Sequence, residues 1–133
     1  MFKYIKFNKV ETADTVLEFR GESETVKVNH FDVNVVSIES ESEEAIDTLI
    51  AAQVDEIECK EIDKDEFKSM VSESAQLNRI RGRVKHAIAK KYDTADEIAM
   101  SKRDKDDAKR VAYESYVLEC VSMGKKLKEE IGY

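Results

Sequence analysis

The sequence predicts an α+β protein: a small N-terminal antiparallel β-sheet with one helix, followed by a C-terminal antiparallel helical hairpin. Three observations lead there. Short β-branched and aromatic runs fill the first 62 residues, apolar residues recur at three- and four-residue steps from Asp63 onward, and the charge changes sign along the chain. Residues 1–78 hold 8 Lys/Arg against 19 Asp/Glu, a net of −11, whereas residues 79–133 hold 14 against 10, a net of +4. The expected organisation is an acidic α+β head over 1–62 and a helical hairpin over 63–133. The hairpin divides into a basic first helix, a short capped helix and a long last helix.

In the head, Phe2, Tyr4, Ile5 and Phe7 form an apolar extended segment around Lys3 and Lys6. Val16-Leu17-Glu18-Phe19 reads as a second strand, with Arg20-Gly21-Glu22-Ser23 as its turn. Thr25-Val26-Lys27-Val28 alternates, and Phe31, Val33, Val35, Val36 and Ile38 make the strongest β-branched run. These three to four strands are expected to bury one face and leave Lys3, Lys6 and Lys27 on a wet one. Ser40-Glu41-Ser42-Glu43 has capping-box spacing ahead of Ala45, Ile46, Leu49 and Ile50, which predicts the helix. Ile57, Cys59 and Ile62 suggest a further short strand.

The hairpin should open at a second box, Asp63-Lys64-Asp65-Glu66. Phe67, Met70, Val71, Leu77, Ile80, Val84 and Ile88 then run close to a heptad rhythm, interrupted by Gly82. Thr94-Ala95-Asp96-Glu97 reads as a third box, opening a short helix with Ile98 and Met100. Lys102 to Asp107 is a solvated turn, and the last helix carries Ala112, Tyr116, Cys120, Met123, Leu127 and Ile131 on one stripe, Tyr113 and Val117 beside it. Gly132 suits its C-terminal end.

Composition narrows the function classes. The chain has 133 residues, 38% of them charged, no Pro, no Trp and four Gly, so no flexible tether separates the halves. No apolar run approaches the roughly 20 residues needed to span a bilayer, and Met1-Phe2-Lys3-Tyr4-Ile5-Lys6 lacks a signal peptide's apolar stretch. Cys59 and Cys120 have no close spacing and are expected to be free thiols in a reducing compartment. Asp and Glu cluster at helix starts and turns, where capping accounts for them better than acid–base catalysis does. Neither His-x-x-x-His nor Cys-x-x-Cys is present for a metal, and His30 and His86 stand apart. Glycines 21, 82, 124 and 132 are isolated, so no phosphate loop forms and no Gly-x-Ser-x-Gly turn exists. The expectation is a chain that is not an enzyme, with no catalytic, cofactor-binding or metal residues and no cofactor.

Binding is the remaining class. Arg79, Arg83, His86 and Lys90 share one helix face at steps of four, three and four, with Arg81 and Lys85 further round. Nucleic acid is disfavoured because no aromatic platform interleaves and the whole chain is acidic; pairing with the acidic head or with a neighbouring subunit is preferred. The stripe of Tyr113, Tyr116, Val117, Cys120, Met123, Leu127 and Ile131 is expected to be hairpin core whose surplus width forms an interface, with Gly124 admitting a second backbone. A homo-oligomer or a larger complex follows from that surplus.

The segment from Leu77-Asn78-Arg79-Ile80-Arg81 to Tyr92-Asp93-Thr94-Ala95-Asp96-Glu97-Ile98 resembles small proteins of tailed-phage and prophage tail modules. So does Tyr113-Glu114-Ser115-Tyr116-Val117-Leu118-Glu119-Cys120 followed by Gly124-Lys125-Lys126. The resemblance covers roughly residues 75–131. It implies a non-enzymatic tail-fibre-associated or tail-assembly protein, acting through contacts with tail or fibre proteins, in the virion or the host cytoplasm. The alternative is an acidic phage-encoded inhibitor that mimics nucleic acid towards a host defence protein. Its charge would come from Glu39, Glu41, Glu43, Glu44 and Asp47, and from Asp55, Glu56, Glu58 and Glu61.

Overall fold

A computed structural model describes all 133 residues as an α+β protein. The strands are β1 (Phe2–Lys6), β2 (Val10–Glu11), β3 (Val16–Leu17), β4 (Lys27–His30), β5 (Val35–Glu39) and β6 (Lys60–Ile62). The helices are α1 (Glu43–Ala51), α2 (Lys64–Val71), α3 (Ala75–Ala89), α4 (Thr94–Ser101) and α5 (Ala108–Glu130). Two compact units result, one of Met1–Leu77 together with Ile131–Tyr133 and the other of Asn78–Glu130.

The first unit is built on an antiparallel sheet in the order β4-β5-β1-β6. The register pairs Tyr4 with Ser37 and Ile62, and Ile5 with Val36. Side chains alternate across a strand, so this register sorts the core into two sets. Ile5, Val28, Val36 and Ile38 lie on one face with Ile46, Leu49 and Ile50 of α1, joined by Phe7, Phe19, Val26 and Ile57. Tyr4, Val35 and Ile62 lie on the other with Phe67 and Val71 of α2 and with Leu77.

The expected wet face is therefore absent. Val35 through Ile38 are buried at both parities because β5 is covered on both sides. Lys3 remains near the α1-covered face by pairing with Glu43 at 3.1 Å and Asp47 at 2.9 Å. Hydrogen bonds to Asp47 and then Glu43 hold its ammonium well above the usual lysine range.

The border expected after Ile62 moves to Leu77. Phe67 and Val71, which the heptad rhythm assigns to the hairpin, are fully buried against the sheet. The rhythm is cut at Ser74, whose hydroxyl accepts from the Leu77 N–H, while the Asp32 carboxylate accepts from the Ala75 N–H at 3.2 Å. These are N-cap bonds, and they start a new helix rather than extend α2. The chain also returns at its far end. Tyr4 donates its hydroxyl to the Gly132 carbonyl at 2.8 Å and Ser37 donates to the Ile131 carbonyl at 2.6 Å. Gly132 adopts φ +88°, and a Cβ there would stand 3.1–3.2 Å from Phe2, Tyr4 and Ser37. Ile131, expected in the hairpin stripe, instead packs on the Tyr4–Phe67 cluster.

Caps and turns shift by small steps for local reasons. Ser42 rather than Ser40 caps α1, accepting from the Ala45 N–H, because Ser40 is engaged with the Thr25 carbonyl. Asp63 caps α2 as expected from its position, and its neighbour Glu66 sits 3.6 Å from Lys6. Asp93 and Asp96 form the reciprocal box of α4, one residue ahead of the Thr94 spacing. Asp63 and Asp93 compete well with Thr for this role because a carboxylate is the stronger acceptor. The run from Phe31 is not one strand: the chain bends at residues 32–34 before β5 begins, and Val10–Glu11, unmarked in the sequence, pairs with Val16–Leu17. Ile57 ends a 3-10 turn (Asp55–Ile57) rather than starting a strand.

In α3, Gly82 is exposed and nothing lies within 4 Å of where its Cβ would be. Gly82→Ala should therefore raise stability by about 0.5–1 kcal/mol through backbone entropy and helix propensity. A higher urea midpoint at unchanged m-value checks it; a lower midpoint would mean that the space is taken.

Candidate interaction surface

The second unit consists of α3 from Asn78, α4, and α5 to Glu130. Its interior is aromatic at one end and small at the other. Tyr92 meets Tyr113 edge-on at 4.9 Å between centroids and Tyr116 at 5.8 Å, and Lys91 lies 4.8 Å over the Tyr116 ring. Tyr116 donates to the Ala87 carbonyl at 2.7 Å and Tyr113 to Glu97 at 3.0 Å. Burial pushes both phenols up, aided by Cys120 beside Tyr116 and by Glu97 beside Tyr113. Further along, Gly124 is buried because the Val84 side chain occupies the place of its missing Cβ.

The corner between α4 and α5 is tied by charge. Asp107 accepts from the Lys109 and Arg110 N–H groups and from the Arg103 guanidinium at 2.9, 3.3 and 3.2 Å. Burial pushes its carboxyl up, but these hydrogen bonds outweigh it and hold the group below the ordinary 3.8. Arg110 donates to Glu114 at 3.0 Å and to the Arg103 carbonyl, so the turn expected over Lys102–Asp107 is rigidly closed.

These contacts redistribute the expected interface residues. Tyr113, Tyr116, Val117 and Leu127 are half-buried and Cys120 is buried, engaged within the unit rather than offered outward. At Gly124 the place of the missing Cβ is taken by Val84 of the same chain, so the close approach that this glycine allows is used within the unit. Met123 is 37% exposed, at the edge of the stripe. Arg79, Arg83, His86 and Lys90 are all exposed on α3.

Besides Met123, and Ile98 of α4 at 53%, three apolar residues of α5 outside the expected stripe face outward. Val111 is 47% exposed, Leu118 67% and Val121 50%. At steps of seven and three they fall within roughly a quarter of the α5 circumference. The sequence alone concealed them because apolar side chains occur nearly all round α5, so an inner stripe can be read from its spacing but a second, outward line is not set apart. Beside them runs a groove of about 470 Å³ lined by Arg81, Val84, Lys85, Val121, Gly124, Lys125 and Lys128. Its floor is Val84, Val121 and Gly124, and its rim is four cations. No Asp or Glu occurs between Arg79 and Tyr92, so α3 contributes only cations to that rim.

Elsewhere the side chains do not converge on a chemistry. An open cleft of about 580 Å³ in the first unit is lined by Lys9, Glu18, Arg20, His30 and Asp32, among others. Lys9 pairs there with Glu11 at 2.9 Å, and Asp32 caps α3. No three His, Cys, Asp or Glu side chains are grouped to hold a metal ion. Cys59 is half-buried and its thiol is pushed up by that burial, away from the thiolate a nucleophile needs. No helix is long and apolar enough to cross a membrane. No family model matches the chain, and no curated protein or solved structure matches it.

Proposed function

We propose that this chain is a non-enzymatic interaction protein whose helical unit docks on protein partners, in the setting of bacteriophage tail or tail-fibre assembly. The observation that carries the docking role is the apolar line of Val111, Leu118 and Val121 beside a cationic, acid-free stretch of α3. Large apolar side chains grouped outside a packed unit favour burial against another protein, at about 25 cal/mol per Å² removed from water. The phage setting is supported by the resemblance of residues 75–131, and with it a location in the virion or the host cytoplasm.

The alternative, an acidic inhibitor that mimics nucleic acid, draws on a separate observation. Glu41, Glu43, Glu44 and Asp47 are exposed along the start of α1. Lys3 neutralises part of that surface by pairing with Glu43 and Asp47, which favours the first reading.

Co-expression with bacteriophage tail and fibre proteins tests both. The expected result is co-purification that survives Glu43→Lys with Glu44→Lys but falls at least about 10-fold in affinity for Val111→Glu with Leu118→Glu. Both α5 positions are exposed, so circular dichroism should stay unchanged. Loss of binding only in the α1 variant, together with capture of a host nuclease, would overturn the assembly reading in favour of the inhibitor.

A further inference from the structure

The cationic groove and a loop of the first unit have complementary chemistry. That loop runs from Ala52 to Glu58. Its Val54 is 47% exposed, a large apolar residue outside the core, and Asp55 and Glu56 follow it, both exposed and in no ion pair. The loop is held in shape: Gln53 accepts the Arg20 N–H at 2.9 Å and donates to the Arg20 carbonyl at 2.6 Å and to the Leu49 carbonyl at 3.0 Å. Asn8 donates its amide to Glu58 at 3.0 Å and its backbone N–H to the Ile57 carbonyl at 2.7 Å. Apolar tip, two adjacent carboxylates and a fixed backbone mirror the groove's apolar floor of Val84, Val121 and Gly124 and its cations Lys85 and Lys125. Those two lysines are exposed and in no ion pair.

We infer that the groove receives the Val54-Asp55-Glu56 loop of a second copy of this chain, Val54 on the floor and the two carboxylates against Lys85 and Lys125. The inference rests on the reading of the helical unit as a docking module and names one of its partners. Three considerations select this occupant. The groove's volume exceeds what one valine side chain fills, so entry needs no opening. The loop is already ordered, so little conformational entropy is lost on docking. Nucleic acid offers charge but no aliphatic group for the floor, and no aromatic side chain lines the groove to stack a base. The contact joins unlike surfaces, so each copy presents one loop and one groove, and association is head-to-tail. Opposite charges across it make the contact sensitive to salt.

Sedimentation equilibrium of the full chain up to about 1 mM reads this directly, because weak single-loop contacts fall in that range. The expected result is a mass that rises with concentration at low salt and returns towards the monomer as salt is raised through about 0.5 M. Lys85→Glu with Lys125→Glu, and separately Asp55→Lys with Glu56→Lys, should each weaken self-association at least about 10-fold. A one-to-one mixture of the two variants should form a dimer, since the intact loop of the first fits the intact groove of the second. That recovery also shows that both variants fold. Association unchanged in both variants would overturn the inference by locating the contact elsewhere. A strict monomer across the range would overturn it too, leaving the groove to an acidic segment of another protein. Neither outcome touches the docking reading itself, which stands or falls by co-purification with tail or fibre proteins.

Discussion

Phe67→Ala is expected to destabilise the first unit by about 3–5 kcal/mol, the largest loss for any single truncation considered for this chain. Phe67 has no exposed surface and is the centre of the cluster that covers one face of the sheet. Its ring stacks on Tyr4 at 4.4 Å between centroids and meets Phe31 edge-on at 5.4 Å. Truncation removes that area from the core, leaves a void and deletes two aromatic pairs, each worth about 0.5–1.5 kcal/mol beyond burial. The void also borders Tyr4, whose hydroxyl holds the Gly132 carbonyl, so the anchoring of Ile131–Tyr133 should loosen with it. Phe67→Leu keeps most of the volume and should cost less. Urea unfolding followed at 222 nm measures both; a midpoint that Phe67→Ala leaves in place would mean that α2 does not cover the sheet.

The second large effect changes sign with its background. Gly124→Ala gains about 1 kcal/mol of helix propensity but drives a methyl into the Val84 side chain. A β-branched residue in a helix keeps one strongly preferred rotamer, so Val84 has little freedom to turn aside. Overpacking of this kind costs about 1–3 kcal/mol, and the clash lies well inside van der Waals contact, so it exceeds the propensity gain. A net loss of about 1–2 kcal/mol is expected. With Val84→Ala in place the obstruction is gone, and the same Gly124→Ala change should stabilise by up to about 1 kcal/mol. A double-mutant cycle by calorimetry or denaturant reads the coupling directly. Equal effects in the two backgrounds would show that Val84 does not fill the glycine's place.

The legible parts of this fold were those encoded locally. Asp63 sits at the N-cap of α2, where an acceptor side chain ahead of an apolar period belongs. The apolar steps from Ala112 gave a long last helix, and the Lys102–Asp107 run gave the turn before it. Misplaced elements were those in which two local signals competed. Ser40 and Ser42 both precede α1, and only the engagement of Ser40 by the Thr25 carbonyl decides which one caps it. Phe67 and Val71 continue the rhythm of Ile80 and Val84 in spacing, yet the chain breaks between them because Asp32, 43 residues away from Ala75, supplies the cap. No window along the sequence contains that partner.

The interface was less legible than the fold. The cationic residues Arg79, Arg83, His86 and Lys90 are outward, as a charged helix face should be. The stripe of Tyr113, Tyr116 and Cys120, expected as hairpin core, does face inward, but the exposed apolar side chains lie elsewhere on α5 than its expected surplus width. Tyr113, Tyr116 and Cys120 turn inward because Tyr116 finds the Ala87 carbonyl, Tyr113 finds Glu97, and the Val84–Gly124 contact fixes the rotation of α5. Val111, Leu118 and Val121 are left outside as a consequence.

What the amino-acid order determined by itself was the α+β class, the sequence of a strand-rich first part and a helical second part, and the sign of charge on each half, since propensity, capping and ionisation act over a few residues. Tertiary structure alone decided that β5 is covered on both faces, that α2 and Ile131 belong to the sheet, and which side of α5 stays exposed. Those outcomes depend on contacts between residues far apart in the chain, where a single filled glycine or a distant carboxylate selects one packing among several that the local pattern permits equally.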